Sequence, residues 1–201
     1  MKKVILVVCL IAMCCFVNAA AKVKIVSGNL IKNSDFSTGK IFPADWLISL
    51  MAPEVFNIDW VRQKDGNYLS MESLGPDYSG YITQKVKVKK NTWYRIKARL
   101  SHTMGRGLIW IYGYDANNKS VMFDRRKYLS SFVGHPLVPR FIRKELMNGS
   151  EDKSWRDVIF DFQTKPSKNQ LAPEILRLSF GIYFTNAKIM FKSIKMWEIK
   201  K

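Results

Sequence analysis

The sequence predicts an all-β sandwich of two antiparallel sheets, and three observations point to it. Apolar and polar residues alternate with period two in stretch after stretch. Turn-forming clusters separate those stretches at short, regular intervals. Helical spacing is confined to one segment of the later half.

The chain opens "MKKVILVVCLIAMCCFVNAAAKVK", with Lys2 and Lys3 ahead of an unbroken apolar run at 4–17. That run is short for a membrane span and suited to a signal-peptide core, with small residues up to Ala21 for cleavage. Residues 1–21 are therefore expected to be a removed secretory signal, and 22–201 a single β-sandwich domain that is secreted or periplasmic. A lipoprotein anchored at Cys14 or Cys15 would need a small residue before the cysteine, and Met13 and Cys14 fit that poorly. Cys9, Cys14 and Cys15 all lie within the signal, so the mature chain has no cysteine for disulfides, thiol nucleophiles or thiolate metal sites.

Losing Lys2 and Lys3 takes the formal net charge from +17 to +15. Such a bias favours an anionic partner, namely an acidic polysaccharide or an anionic cell surface, although charge speaks to association and not to fold. Export makes nucleic acid an unsuitable partner. No later stretch is apolar enough to cross a bilayer.

The strands follow in order. "YITQKVKV" (81–88) puts Ile82, Gln84, Val86 and Val88 on one face and Tyr81, Thr83, Lys85 and Lys87 on the other. After the turn "KKNT", "WYRIKARLS" (93–101) sets Tyr94, Ile96, Ala98 and Leu100 against Trp93, Arg95, Lys97 and Arg99. "GLIWIYGY" (107–114), the polar turn "DANNKS" and "VMF" come next. "VIFDFQT" (158–164), "ILRLSFGIYF" (175–184) and "AKIMFKSIKMWEI" (187–199) complete the set. Residues 124–153 resist this pattern. They hold "DRRK", Pro136, Pro139 and "RFIRKELMNG", and read as one long loop excursion with a short helix.

With the strands in order, the chain resembles a known group. "NLIKNSDFSTG" followed by "PADW", then "DGNYLSMES", "IWIYGYDANNK", "WRDVIFDFQT" and the closing "FKSIKM" resemble the jelly-roll carbohydrate-binding modules of families 4, 9 and 22, which are galactose-binding-domain-like. The resemblance spans about 28–198 and omits the excursion. It implies a jelly-roll β-sandwich, a glycan ligand and a groove on the concave sheet. In such a fold Phe36 and Trp46 would plug the edge of the sandwich. The resemblance also implies a structural calcium, held between a Glu after that Phe and an Asp in the closing strand. Those positions are Ser37 and Lys192 here, so the calcium is expected to be absent. The Lys192 ammonium would then stand in for the ion and pair with Asp35.

Candidate site residues follow from the alternation. Trp110, Tyr112 and Tyr114 share one face of their strand, opposite Ile109 and Ile111. They form either a core stripe or a platform on which sugar rings stack. Arg177 and Tyr183 project from the outward face of their strand as neighbours of the stripe. Trp93, Arg95 and Arg99 form a cationic ladder whose guanidinium forks suit carboxylates, or else a solvated outer face. The leading expectation is a non-catalytic module that binds an acidic polysaccharide, either alone or alongside an enzyme on a separate chain. A polysaccharide lyase is the enzymatic alternative, recruiting Tyr112, Arg99 and either His102 or His135, although His102 reads as a turn residue. A basic envelope-associated adhesive protein is a third reading. A zinc or iron site would need both histidines of the chain, so no metal is expected.

Overall fold

The computed structural model describes residues 23–130, 155–166 and 170–201. Its strands are β1 (Lys24–Ile25), β2 (Leu47–Leu50), β3 (Phe56–Val61), β4 (Tyr68–Ser73), β5 (Gly80–Lys87) and β6 (Trp93–Met104). They continue as β7 (Arg106–Tyr114), β8 (Ser120–Ser130), β9 (Arg156–Gln163), β10 (Ile175–Ile182) and β11 (Ala187–Lys200). One 3-10 turn, Pro53–Val55, leads into β3, and no α-helix occurs among the described residues. The signal segment and the helix expected within the excursion lie outside the described residues.

The strands make two antiparallel sheets, and the fold is a jelly-roll sandwich. One sheet runs β3-β4-β11-β6-β9 with β1 added to the end of β11, and the other runs β2-β5-β10-β7-β8. The two sheets close over the inward parity of each strand. Ile96, Ala98, Leu100, Ile109, Ile111, Leu178, Phe180 and Ile194 are all fully buried. Burying a side chain of this size stabilises the fold by about 1.5–3 kcal/mol.

Gln84 shares that inward face, and its amide is fully used. Lys32 N donates to its Oε1 at 2.9 Å, and its Nε2 donates to Lys32 O at 3.0 Å and Asp45 O at 3.1 Å. A satisfied buried amide costs little, and here it ties the segment 29–46 across the sandwich. Asn33 arranges the same segment. Its Nδ2 donates to the carbonyls of Thr38 and Ala44, and Trp46 Nε1 donates to Asn33 O. Phe36 and Trp46 end in the core with ring centroids 5.4 Å apart, as the plug the sequence leads one to expect.

Three features differ from the sequence reading, the first being that the strand expected over 175–184 ends at Ile182, with Tyr183 just beyond it. The strand beginning "VMF" continues through Asp124 to Ser130, so any excursion starts after β8 and not at 124. Three consecutive cations, Arg125 to Lys127, hide the alternation there, because an edge strand needs little inward apolar content. His102 lies within β6, opposite Ile189, and is buried. It is a strand residue and not part of a turn.

Candidate functional site

Strand β7 has two faces with different jobs. Ile109 and Ile111 point into the sandwich, while Trp110, Tyr112 and Tyr114 lie half-buried on the outer face of the five-stranded sheet. Antiparallel register then fixes their neighbours. Trp110 stands opposite Arg126 of β8 and Ser179 of β10, and Tyr112 stands opposite Asp124 and Arg177. Arg177 in turn faces Lys85 of β5. Tyr112, Arg177 and Lys85 therefore form one row across three strands, with neighbours roughly 5 Å apart.

Asp124 sets the orientation of the indole. Trp110 Nε1 donates to Asp124 Oδ1 at 2.9 Å, and Arg126 donates to both carboxylate oxygens, at 3.2 and 2.8 Å. The Arg126 guanidinium lies 4.3 Å from the Trp110 ring centroid, and Asp124 pushes its proton affinity up further. Tyr112 packs against Trp110 at 4.2 Å, and Tyr81 meets the indole edge-on at 6.1 Å. Burial, with Asp124 next in effect, pushes the Tyr112 phenol up to about 12. Burial also raises Tyr81.

The aromatic surface extends both ways. Lys85 sits 5.1 Å over Tyr114 at one end while its Nζ donates to Asn118 Oδ1. Tyr183 meets Tyr128 at 5.8 Å at the other end, with Arg106 lying over it. From residue 108 to residue 114 the strand runs about 20 Å. Ser179 and Gly181 give β10 a low profile between these walls.

Of the residues singled out in sequence, Trp110, Tyr112, Tyr114, Arg177 and Tyr183 come together on this face. Trp93, Arg95 and Arg99 do not join them, because β6 belongs to the other sheet. There the ladder is paired in register with β9. Arg95 makes a bidentate pair with Asp161 at 2.7 and 2.9 Å, Lys97 lies 2.7 Å from Asp157, and Arg99 lies 3.7 Å from the same carboxylate. Arg95, and after it Lys201, hold the Asp161 carboxyl below its usual range. Lys201 also covers Trp93 at 4.1 Å. Asp124, Arg126, Tyr128, Tyr81 and Lys85 were missed. The first three fall in the stretch whose alternation is masked by charge, and only cross-strand register places the other two.

The calcium that the family resemblance implies needs hard oxygen ligands, and the donor set does not fit it. Ser37 and Lys192 replace the two carboxylates. The carbonyl of Phe36 already accepts from Trp60 Nε1 and Asn67 Nδ2. Lys192 pairs with Asp65 at 3.8 Å instead of the expected Asp35, whose carboxylate accepts the Ser37 N–H. No cluster of three or more metal-ligating side chains occurs among the described residues. No helix among them is long and apolar enough to cross a membrane.

No family profile and no curated protein sequence matches the chain. Solved structures do. A family 4 carbohydrate-binding module has a TM-score of 0.53 at 16% identity, over 84% of this chain and 99% of that one. The CBM22-1 xylan-binding domain of Paenibacillus barcinonensis Xyn10C has a TM-score of 0.51 at 12% identity, over 89% and 99%. The enzymatically active domain of tailspike protein 4 of bacteriophage CBA120 has a TM-score of 0.61 at 8% identity, over 85% of this chain. This chain spans only 21% of that tailspike's length. At these identities the likeness is one of fold: the chain has the jelly-roll sandwich fold of the carbohydrate-binding modules.

Proposed function

We propose that this chain is an exported, non-catalytic carbohydrate-binding module that takes an acidic polysaccharide along the outer face of its five-stranded sheet. The row Tyr112, Arg177 and Lys85 carries the reading. Arg177 and Lys85 stand directly opposite one another, and no carboxylate among the described residues pairs with Arg177. Like charges facing across a sheet are unfavourable, and a ligand carboxylate would relieve them. Beside them Trp110 and Tyr112 offer flat faces for stacking on a sugar ring, with phenol and guanidinium groups to engage hydroxyls and acids. The xylan-binding neighbour and the family 4 module support a glycan as ligand.

Export follows from the N-terminal signal, which implies a secreted or periplasmic location. Anchoring to an anionic cell surface, or work alongside an enzyme on a separate chain, suits the same charge. Binding would need no calcium, since Ser37 and Lys192 replace the two carboxylates that would hold it. The lyase reading is less well supported, because Tyr112 sits in β7 while His102 and Arg99 sit in β6 of the other sheet. Those described groups are not gathered, and His135, the other candidate base, lies outside the described residues.

The experiment is binding of residues 22–201 to neutral and acidic polysaccharides at about 0.05 M and about 0.5 M salt, a range over which exposed charges become screened. Saturable binding to an acidic glycan that survives the higher salt is the expected result. Equal binding to every polyanion, lost in salt, would replace this reading with the envelope-adhesion one. A rise in ultraviolet absorbance on incubation with alginate or pectin would establish a lyase.

A further inference from the structure

We propose that the opposite face of the sandwich holds a second sugar site, one that takes a single neutral sugar residue. The inference rests on the reading of this chain as a glycan binder, but it concerns a different sheet and different chemistry.

The site is a cleft of about 180 Å³ lined by Gln63, Asp65, Tyr68, Trp155, Met190 and Lys192. Three local features build it. Tyr68 opens β4 with its side chain outward, since the next residue, Leu69, is in the core. Lys192 follows the buried Phe191 and so points outward beside Tyr68, at the register shift between Phe191 and Ser193. The β3–β4 loop closes the side with a tight turn in which Gly66 N donates to Gln63 O. Gly66 has a φ of +114°, and a Cβ there would sit 3.3 Å from Lys192 Cε, so glycine lets the turn lie against the lysine.

Trp155 and Tyr68 meet at 5.7 Å and 61°, which makes a corner of two aromatic walls. The Lys192 ammonium lies 5.6 Å from the indole centroid. It is 3.8 Å from Asp65 Oδ2, beyond hydrogen-bonding distance, so both groups keep donors and acceptors for a ligand. Asp65 is well exposed at the rim, with Gln63 beside it.

Charge selects the ligand class. One ammonium and one carboxylate cancel, so a uronate would meet Asp65 and an amino sugar would meet Lys192. A neutral ring can lay its apolar face on Trp155 and offer hydroxyls to Gln63, Asp65 and Lys192. The volume is below the roughly 300 Å³ at which drug-sized pockets begin, which fits one ring and not a chain. With the platform facing the other way, the two sites would let one molecule bridge two glycan strands.

The test uses residues 22–201 with nitrogen-15-labelled indoles, assigned by single Trp→Phe variants. The probes are neutral tetrasaccharides of glucose, xylose, galactose and mannose, with tetragalacturonate as the acidic probe. At least one neutral probe should shift the Trp155 indole, and it should do so equally in a Trp110→Ala variant. Tyr68→Ala should abolish that response, and Gln63→Ala should weaken it about fivefold. The buried Trp46 indole, bonded to Asn33 O, reports that these variants are folded. If no neutral probe moves Trp155, or the shift disappears with Trp110→Ala, the second site is refuted. Failure of the acidic-platform reading shows separately, as a Trp110 indole that tetragalacturonate leaves unmoved.

Discussion

The outer faces of the two sheets carry similar residues in opposite states. On the six-stranded sheet, Arg95 and Arg99 of β6 stand directly across from Asp161 and Asp157 of β9, and every cation of the ladder has its acid. On the five-stranded sheet, Arg177 stands between Tyr112 and Lys85. The difference lies in register alone. A guanidinium counts as available charge only when the residue across the strand leaves it so, a condition that Arg177 meets and the ladder arginines do not.

The largest effect should separate the two sides of β7 itself. Ile111→Ala should cost about 2–5 kcal/mol by opening a core cavity, seen in chemical denaturation, while Tyr112→Ala should cost far less. If the two cost the same, the stripe is core and the platform is lost. Next, Trp110→Ala should weaken binding of the acidic glycan at least about tenfold in calorimetry, equivalent to about 1.4 kcal/mol. Its melting temperature should stay close to that of the parent.

The two arginines then test the contrast directly. Arg177→Met should reduce affinity for an acidic glycan roughly threefold to tenfold and flatten its salt dependence. Arg95→Met should leave binding alone and cost about 1–2 kcal/mol in stability. It should also change the acid limb. Asp161 is held low by Arg95, so its contribution is present above the unfolded carboxyl value near 4 and lost as pH falls through the lower folded value. The variant should lose less stability than the parent over that acid range. The smallest effect is alkaline. Tyr112 is raised to about 12, so its contribution is full below pH about 10 and fades as pH climbs toward 12. Spectrophotometric titration should show late-ionising phenols, and Tyr112→Phe should remove one of them.

Much of the sandwich was legible because alternation records which face is buried. Ile96, Ala98 and Leu100, or Leu178 and Phe180, could face only inward. β2 and β3 were not singled out, since Leu47 and Ile48 are exposed at an edge and β3 is only half-buried. The stripe was visible as a pattern, but its side of the sheet depended on Ile109 and Ile111 meeting Phe180 and Leu178 across β10. Which arginines are free was beyond reach, because register links residues some 60 positions apart, as in Arg95 and Asp161. Lys192 shows the same limit: its outward turn at the β11 bulge gave it Asp65 and not Asp35.

The strand order has a consequence for how the chain is made. β10 and β11 come last, yet each lies at the centre of its sheet, between β5 and β7 and between β4 and β6. Neither sheet can close until residues 175–201, which hold both strands, are free to insert. A chain in which 175–201 is still held extended could therefore pair neither sheet at its centre. Folding should be slow, as pairings this distant in sequence require, and a truncation ahead of Ile175 would leave two half-sheets with no centre.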